Sequence, residues 1–307
     1  MQVVPISFES IGVRSMSTFI ETKDANIIID PGVSLAPYRY GLRPHPFEIK
    51  RLEYSWNKIV KFAKKSDIII ITHYHYDHHN LWDDLNIYDN KKVLIKNPKE
   101  NINFSQKRRA EKFIEKIKEK AKSIDYIDGK EYNIGNIIIK FSKPVFHGID
   151  SRLGYVIEVF IEENFRFIHT SDVEGLTQEE QLSFIIENQP SMIILDGPLS
   201  YIPNFLKEEI LEKSLNNIIN VIYKCPLEIL ILDHHFLRDL EWRKIAEKIF
   251  NIAEELNVKV QTAAQYMKLP LDMLEANRKK LYEEYPKAKY IGRKDKYIIQ
   301  KFLFNKK

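Results

Sequence analysis

The chain has 307 residues, of which 44% are hydrophobic and 29% charged, and its formal net charge at pH 7 is +4. This length allows a large buried core, and the small net charge does not by itself indicate a nucleic-acid partner. The single cysteine, Cys225, excludes an internal disulfide and a cysteine-based zinc site, and we expect it to be a buried, unreactive thiol. Because residues 1–20 lack a signal-peptide pattern and no apolar run approaches the ~20 residues that span a bilayer, we expect a cytosolic protein without membrane contact.

Short runs of β-branched residues separated by turns dominate the first half of the chain. Segment 33–48 carries three prolines and is typical of an ordered loop. Helical patterns follow at 54–64 and at 106–122, and Ser105 is placed to cap the second helix. The predicted strands are 3–8, 17–21, 26–29, 68–71 and 92–95.

The second half repeats this alternation of strands and helices. A capping box at Thr177 predicts a helix that ends near residue 188. Since no repeat or long linker divides the chain, we predict a single domain with a core at about 3–265, then a C-terminal helix and basic tail within 266–307. The other predicted helices are 208–223, 241–256 and 271–284, and the predicted strands are 137–141, 155–161, 165–169, 192–195, 227–232, 258–262 and 297–304.

The strand predicted at 68–71 leads directly into a dense group of potential metal ligands. Alternate residues of an extended segment point the same way, so His73 and His75 can converge on one ion. A turn then directs Asp77 and His78 towards a neighbouring position. Imidazole and carboxylate without thiolate suit zinc, iron or manganese in a catalytic site. A surface turn rich in histidine is the alternative, but a buried strand directly before the ligands favours the metal site.

Further candidate ligands follow later predicted strands, where α/β proteins commonly place their chemistry. Of the nine histidines, His45 lies away from any predicted strand end. The candidates that follow strands are His147, His169, Asp172, His234 and His235.

The order His73-x-His75-x-Asp77-His78, a lone His147, then Asp172 and His234 resembles the metallo-β-lactamase superfamily. The intervals are 70 residues from Asp77 to His147, 25 to Asp172 and 62 to His234. Asp30-Pro31-Gly32 resembles the first motif of that superfamily, and the whole pattern is most similar to an archaeal branch of it. The resemblance implies an α/β fold of the four-layer αββα type, in which two similar halves form one domain.

The resemblance also implies how the ligands divide between two divalent ions, for which zinc is favoured over iron or manganese. His73, His75 and His147 would hold one ion, and Asp77, His78 and His234 the second. Asp172 would bridge both, and Asp77 could also accept or relay a proton. Three residues would take other roles: Asp30 and His79 would support the ligands, and His169 would be structural. His235 is a possible substitute for His234.

Two ions that share a solvent oxygen lower its pKa, so the resemblance implies a hydrolase of an ester, lactone, thioester or phosphoester. A nuclease or phosphodiesterase is one alternative. The 62 residues between Asp172 and His234 leave no room for a large inserted domain, but the basic helix at 106–122 and the basic tail keep phosphate substrates open. A small molecule is therefore preferred over nucleic acid as the partner.

Two other function classes compete with hydrolysis. A mononuclear iron redox enzyme is disfavoured by the second ligand set, and flavodi-iron relatives have glutamate where this chain has His75. A binding protein with a degenerate site is disfavoured because every ligand is retained. Candidates for lining the substrate pocket are Tyr38, Tyr40, Arg43, His45, Arg152 and residues 198–201.

Overall fold

The computed structural model describes residues 1–202 and 207–288, which form two large β-sheets with helices on their outer faces. The first sheet is antiparallel at one side and parallel from β3 onwards. Its strands, in spatial order, are β1 (Gln2–Phe8), β2 (Met16–Glu21), β3 (Asn26–Ile29), β4 (Ile68–Ile71), β5 (Lys92–Ile95) and β6 (Ser123–Tyr126).

The second sheet also combines antiparallel and parallel pairs. Two further strands, β9 (Val145–Phe146) and β10 (Tyr155–Val156), form a separate short ladder. The spatial order of the second sheet is β15 (Lys259–Gln261), β14 (Ile229–Asp233), β13 (Met192–Asp196), β12 (Arg166–His169), β11 (Val159–Glu162), β8 (Ile137–Phe141) and β7 (Glu131–Ile134).

Helices cover the outer face of each sheet. The first sheet packs against α1 and α2, and the second against α3, α4 and α6. None of the helices in the described ranges, 1–202 and 207–288, is both long and apolar enough to cross a membrane. The helices are α1 (Pro46–Lys65), α2 (Phe104–Ile117), α3 (Glu179–Asn188), α4 (Glu208–Lys224), α5 (Trp242–Ile245), α6 (Glu247–Glu255), α7 (Ala263–Tyr266) and α8 (Arg278–Glu284).

The four isoleucines of β4 show how the layers form. Side chains of a strand alternate between its two faces, so Ile68 and Ile70 join the apolar core between the sheets. Ile69 and Ile71 join the core under α1 and α2. A strand buried on both faces must be apolar at every position, and the predicted αββα sandwich is confirmed.

Several predicted boundaries were wrong for local reasons. Helix α1 begins at Pro46 inside the predicted loop, because His45 caps it and Pro46 needs no amide hydrogen at this position. Asn103 rather than Ser105 caps α2. Gln178 forms the capping box of α3 in place of Thr177.

Other differences concern where elements stop. Helix α2 ends at Ile117, and residues 118–122 form turns instead of more helix. The strands β6 and β7 were not predicted. The strand expected at 155–161 is divided into β10 and β11, the helix expected at 241–256 into α5 and α6, and α8 begins only at Arg278. The strand expected at 297–304 lies outside the described residues. The proposal of a single domain stays a prediction.

Candidate metal centre

The candidate ligands meet at one edge of the sandwich because they follow the carboxyl ends of strands from both sheets. Asp30 follows β3, the 73–79 cluster follows β4, Asp172 lies beyond β12 and His234 follows β14. Asp30 and His234 have φ values of +50° and +57°, in the left-handed region that non-glycine residues rarely adopt. Left-handed non-glycine residues of this kind concentrate at functional sites.

Asp172 lies at the centre of the group and is almost fully buried. Its Oδ2 atom is 3.2 Å from His147 Nε2 and 3.5 Å from His73 Nε2. Its Oδ1 atom is 3.0 Å from His78 Nε2 and 3.3 Å from His234 Nε2. The two oxygens of one carboxylate therefore face two different pairs of histidines.

Two groups of potential ligand atoms that share Asp172 match the predicted ligand sets. One contains His73, His75 and His147, and in it all four ligand atoms lie within 4.8 Å of one another. The other contains Asp77, His78 and His234, with the same limit. The structure thus brings together each set that the sequence assigned to one ion, and metal ligation itself remains a proposal.

The chemistry of these atoms fits divalent ions. His73 Nε2, His78 Nε2, His147 Nε2 and Asp172 Oδ1 are buried without a hydrogen-bond partner, although buried polar atoms are normally satisfied. Ligands of a tetrahedral zinc ion at ~2.0–2.1 Å lie about 3.3 Å from one another. The separations around Asp172 are close to this value.

Acidic residues hold the ligand rings from their far side. His78 Nδ1 donates to Asp30 Oδ2 at 2.8 Å, and His234 Nδ1 donates to Glu9 Oε2 at 2.6 Å. Glu174 Oε1 lies 3.3 Å from His147 Nδ1. The two hydrogen bonds fix the tautomers of His78 and His234 with Nε2 available to an ion, as is usual for metal-bound histidine.

Comparison with known proteins places the chain in a family. The Metallo-beta-lactamase superfamily model matches residues 11–85. A UPF0282 protein from Korarchaeum cryptofilum is 49% identical over 288 residues, which are 93% of this chain and 96% of that protein. The chain belongs to the UPF0282 family. Its metallo-β-lactamase fold and its similarity to an archaeal branch of that superfamily are as expected.

Solved structures show the same fold at low sequence identity. A possible metal-dependent hydrolase from Veillonella parvula aligns with a TM-score of 0.50 and 16% identity, covering 82% of this chain and 94% of the Veillonella chain. A mutant of the CmlA beta-hydroxylase aligns with a TM-score of 0.51 and 11% identity, covering 81% of this chain and 51% of the hydroxylase chain. Because this fold accompanies two chemistries, function must be argued from the site.

His235 and His234 belong to different groups of potential ligand atoms. His235 Nδ1 donates to Asp196 Oδ2 at 2.9 Å, and its backbone amide donates to Asp196 Oδ1 at 3.0 Å. It shares a separate group of potential ligand atoms with Asp172 and Asp196. His234 is therefore the better candidate for the second ion.

His79 and His169 are positioned as expected for supporting residues. His79 Nδ1 donates to the carbonyl of His75 at 2.9 Å, and its ring packs against Phe113. His169 Nε2 donates to the carbonyl of Met16 at 3.0 Å. His169 uses both ring nitrogens on backbone groups, whereas His79 Nε2 is buried without a hydrogen-bond partner.

The histidines around Asp172 have pKa values shifted away from the ordinary value for imidazole. Burial lowers the pKa of His78, but the carboxylates of Asp172 and Asp30 outweigh it and raise that pKa to about 10. Burial also lowers the pKa of His147, and contacts with Asp172 and Glu174 raise it to about 10. By contrast, burial and the charge of His78 lower the pKa of His73 to about 4. The Asp172 carboxylate thus favours protonation of His78 and His147, and a divalent ion would have to displace the proton from Nε2 of each ring.

The predicted pocket residues have mixed outcomes. His45 is buried as the cap of α1, so its side chain is not accessible to a substrate. The Tyr40 hydroxyl donates to the carbonyl of Ala276, which anchors the C-terminal segment. Arg152 lines a cavity beside His147, as expected.

Sequence reasoning missed Glu9, Glu174 and Arg238. Arg238 Nη2 lies 3.9 Å from Asp77 Oδ2 and contacts Glu9. An acidic residue directly after the apolar β1 was a weak signal for Glu9. Nothing local connected it to His234, which is 225 residues away.

Proposed function

We propose that this protein is a metal-dependent hydrolase that works with two divalent ions. The supporting observation is the division of Asp172, whose Oδ2 faces His73 and His147 while its Oδ1 faces His78 and His234. A carboxylate shared in this way suits two adjacent ions better than one. Nitrogen and oxygen ligands without sulfur favour zinc, and iron or manganese would fit the same donor set.

Bound ions would supply Lewis acidity and an activated water near neutral pH. The protein contributes the positions of the groups around them. Asp30 and Glu9 hold His78 and His234 with Nε2 facing Asp172. Since these rings are packed and hydrogen-bonded before substrate arrives, the site needs little reorganisation during the reaction.

Asp77 is proposed to orient the attacking water. Burial raises its pKa, but the charges of His78 and His234 outweigh burial, so the pKa lies below its usual range. Its side chain is 14% exposed, unlike the fully buried His78 and His234. An anionic, accessible carboxylate can accept a hydrogen bond from water, and its low pKa suits orientation better than proton storage.

A small ester, thioester, lactone or phosphoester is the proposed substrate class. The basic helix predicted at 106–122, which left phosphate substrates possible, corresponds to α2. The exposed face of α2 carries charges of both signs. Lys107, Arg108 and Lys112 lie beside Glu111 and Glu115 there, and all five are exposed. Such a mixed surface does not form the continuous basic stripe that a phosphate backbone requires.

The test is metal analysis followed by a panel of chromogenic ester, thioester, lactone and phosphodiester substrates. We expect two bound ions per chain and hydrolysis of at least one class. His73→Ala should lose one ion and all hydrolysis while keeping the circular dichroism of the folded chain. His45→Asn, which preserves a helix cap away from the ligands, should keep both. Hydrolysis by metal-verified His73→Ala, or one iron with oxygen consumption, would contradict the proposal.

A further inference from the structure

A cavity of about 180 Å³ lies beside His147, at the edge of the candidate metal centre. Ile149 and Leu153 provide most of its apolar wall. This volume equals about six water molecules at ~30 Å³ each. It is smaller than a complete ligand site of ~300–1,000 Å³, so it suits one part of a substrate. The lining residues are His147, Ile149, Asp150, Arg152, Leu153 and Glu174.

The loop that forms this cavity is held in place by α2. Gln106 Nε2 donates to the carbonyl of Leu153 at 2.7 Å, and its Oε1 accepts from the amide of Tyr74 at 3.0 Å. The amide of His147 donates to the carbonyl of Gly154 at 3.0 Å. Gly154 has a φ of +95°, and a Cβ atom there would lie 2.7 Å from Gln106 Nε2. The cavity is therefore built on the same backbone that positions the candidate ligands His73, His75 and His147.

The charged groups around the cavity are paired with one another, so they do not favour an anionic group. Glu174, which is buried, places its carboxylate 3.3 Å from His147 Nδ1. At the rim, Arg152 Nε pairs with Asp150 Oδ2 at 2.8 Å. A carboxylate or phosphate entering here would lose water beside charges that already pair with each other, and it would lie close to the Glu174 carboxylate, which is costly. An uncharged hydrocarbon meets no such penalty.

We propose that this cavity receives the short acyl chain of an ester or thioester substrate, with a capacity of about six carbon atoms. This inference rests on the proposed hydrolase function and adds the chemical class of the group beside the reacting carbonyl. Ile149 and Leu153 then determine the accepted chain length. Apolar contact with one added methylene changes kcat/KM by about tenfold or more in a hydrophobic pocket.

The experiment compares acetyl, butyryl, hexanoyl, decanoyl and succinyl p-nitrophenyl esters on the metal-loaded, full-length protein. We expect kcat/KM to rise at least about tenfold from acetyl to hexanoyl, then to fall for decanoyl. The succinyl ester should be poorer than the butyryl ester of the same chain length, since its carboxylate would approach Glu174.

Two variants of Leu153 separate the wall of the cavity from general effects. Leu153→Trp should reduce hexanoyl hydrolysis at least about tenfold and leave acetyl hydrolysis within about twofold. Leu153→Ala should move the optimum towards decanoyl. Leu256→Ala is the matched control, because Leu256 is 43% exposed and Leu153 40%, and Leu256 directly follows α6 and does not line the cavity. It should keep the wild-type profile.

The outcomes distinguish the two proposals. Ester hydrolysis with a flat chain-length profile, or a profile unchanged by both Leu153 variants, would overturn the acyl cavity and leave the hydrolase intact. Succinyl hydrolysis equal to butyryl would overturn it as well. Failure of the wild-type protein with two bound ions to hydrolyse any substrate would overturn the hydrolase proposal and the inference that depends on it.

Discussion

Replacing Glu9 by glutamine should weaken the second ion and leave the first nearly unchanged. Glu9 Oε2 accepts from His234 Nδ1, while Oε1 accepts from Arg238 Nε at 2.7 Å. Glutamine has almost the same shape but no charge. Its amide nitrogen must then face either Arg238 or His234, and both of these are donors. The carbonyl oxygen can accept from only one of them, and the charge is lost for both. The hold on His234 is therefore weakened, although its Nδ1 also lies 3.2 Å from the carbonyl oxygen of Ser15, and Arg238 loses its nearest buried carboxylate.

The magnitudes follow from burial. The side chains of Glu9 and Arg238 are 4% and 3% exposed, and breaking such a pair by removing one partner costs about 3–5 kcal/mol. Loss of a carboxylate behind a metal-bound histidine lowers metal affinity about 10–100-fold. Because Glu9 contacts His234 rather than His73 or His147, that loss should fall on the second ion.

Glu48→Gln is the matched control. Glu48 and Arg278 form another buried pair, with both side chains 0% exposed and contacts of 2.8 and 2.7 Å. Urea unfolding should show a similar loss of stability in both variants, whereas competitive metal titration should show a weakened ion only in Glu9→Gln. Unchanged affinity in Glu9→Gln would refute the positioning argument, and equal loss in Glu48→Gln would reduce it to general destabilisation.

Two further predictions concern pH and thiol chemistry. Burial raises the pKa of Glu275, but the Arg14 guanidinium outweighs burial and lowers the pKa from 4.5 to about 2. The pair of Glu275 and Arg14 should therefore stabilise the fold by about 3 kcal/mol above pH 4.5. That contribution should be lost as the pH falls towards 2. Urea unfolding of the wild type and Glu275→Gln should show their difference shrinking over that range, and a constant difference would contradict it. Burial raises the pKa of Cys225 to about 11, so a disulfide reagent should modify the thiol only after unfolding, and rapid reaction of the native protein at pH 7 would contradict burial.

The sequence predicts most of the fold because the inner strands carry an unambiguous apolar signal. The isoleucines of β4 are apolar at every position, which a strand buried on both faces requires. The missed strands have the opposite character. The residues of β6 are all only partly buried, and those of β7 alternate between exposed and partly buried. Their pairing is set by neighbouring strands more than by their own composition.

The site divides along the same line. Ligands within the 73–79 cluster are readable because strand geometry fixes how near neighbours point. Glu9 and Glu174 could not be predicted from the sequence, because what makes them important is contact with a histidine that is separated from them by several strands. The start of α1 was predicted wrongly for another reason. A proline at the first helical position resembles a loop residue when the cap beside it is not recognised.

The sharing of ligands between the sheets has a consequence for the order of assembly. The first sheet supplies His73 and His75 to one proposed ion, while His147 and Asp172 come from the part of the chain that builds the second sheet. Bringing Glu9 and His234 together closes a loop of 225 residues. This step is slow because the entropy of loop closure is lost before the contact can stabilise the fold. An intermediate with one sheet formed would offer each ion only part of its ligands. Ion uptake during refolding would therefore mark the moment at which the two sheets have docked.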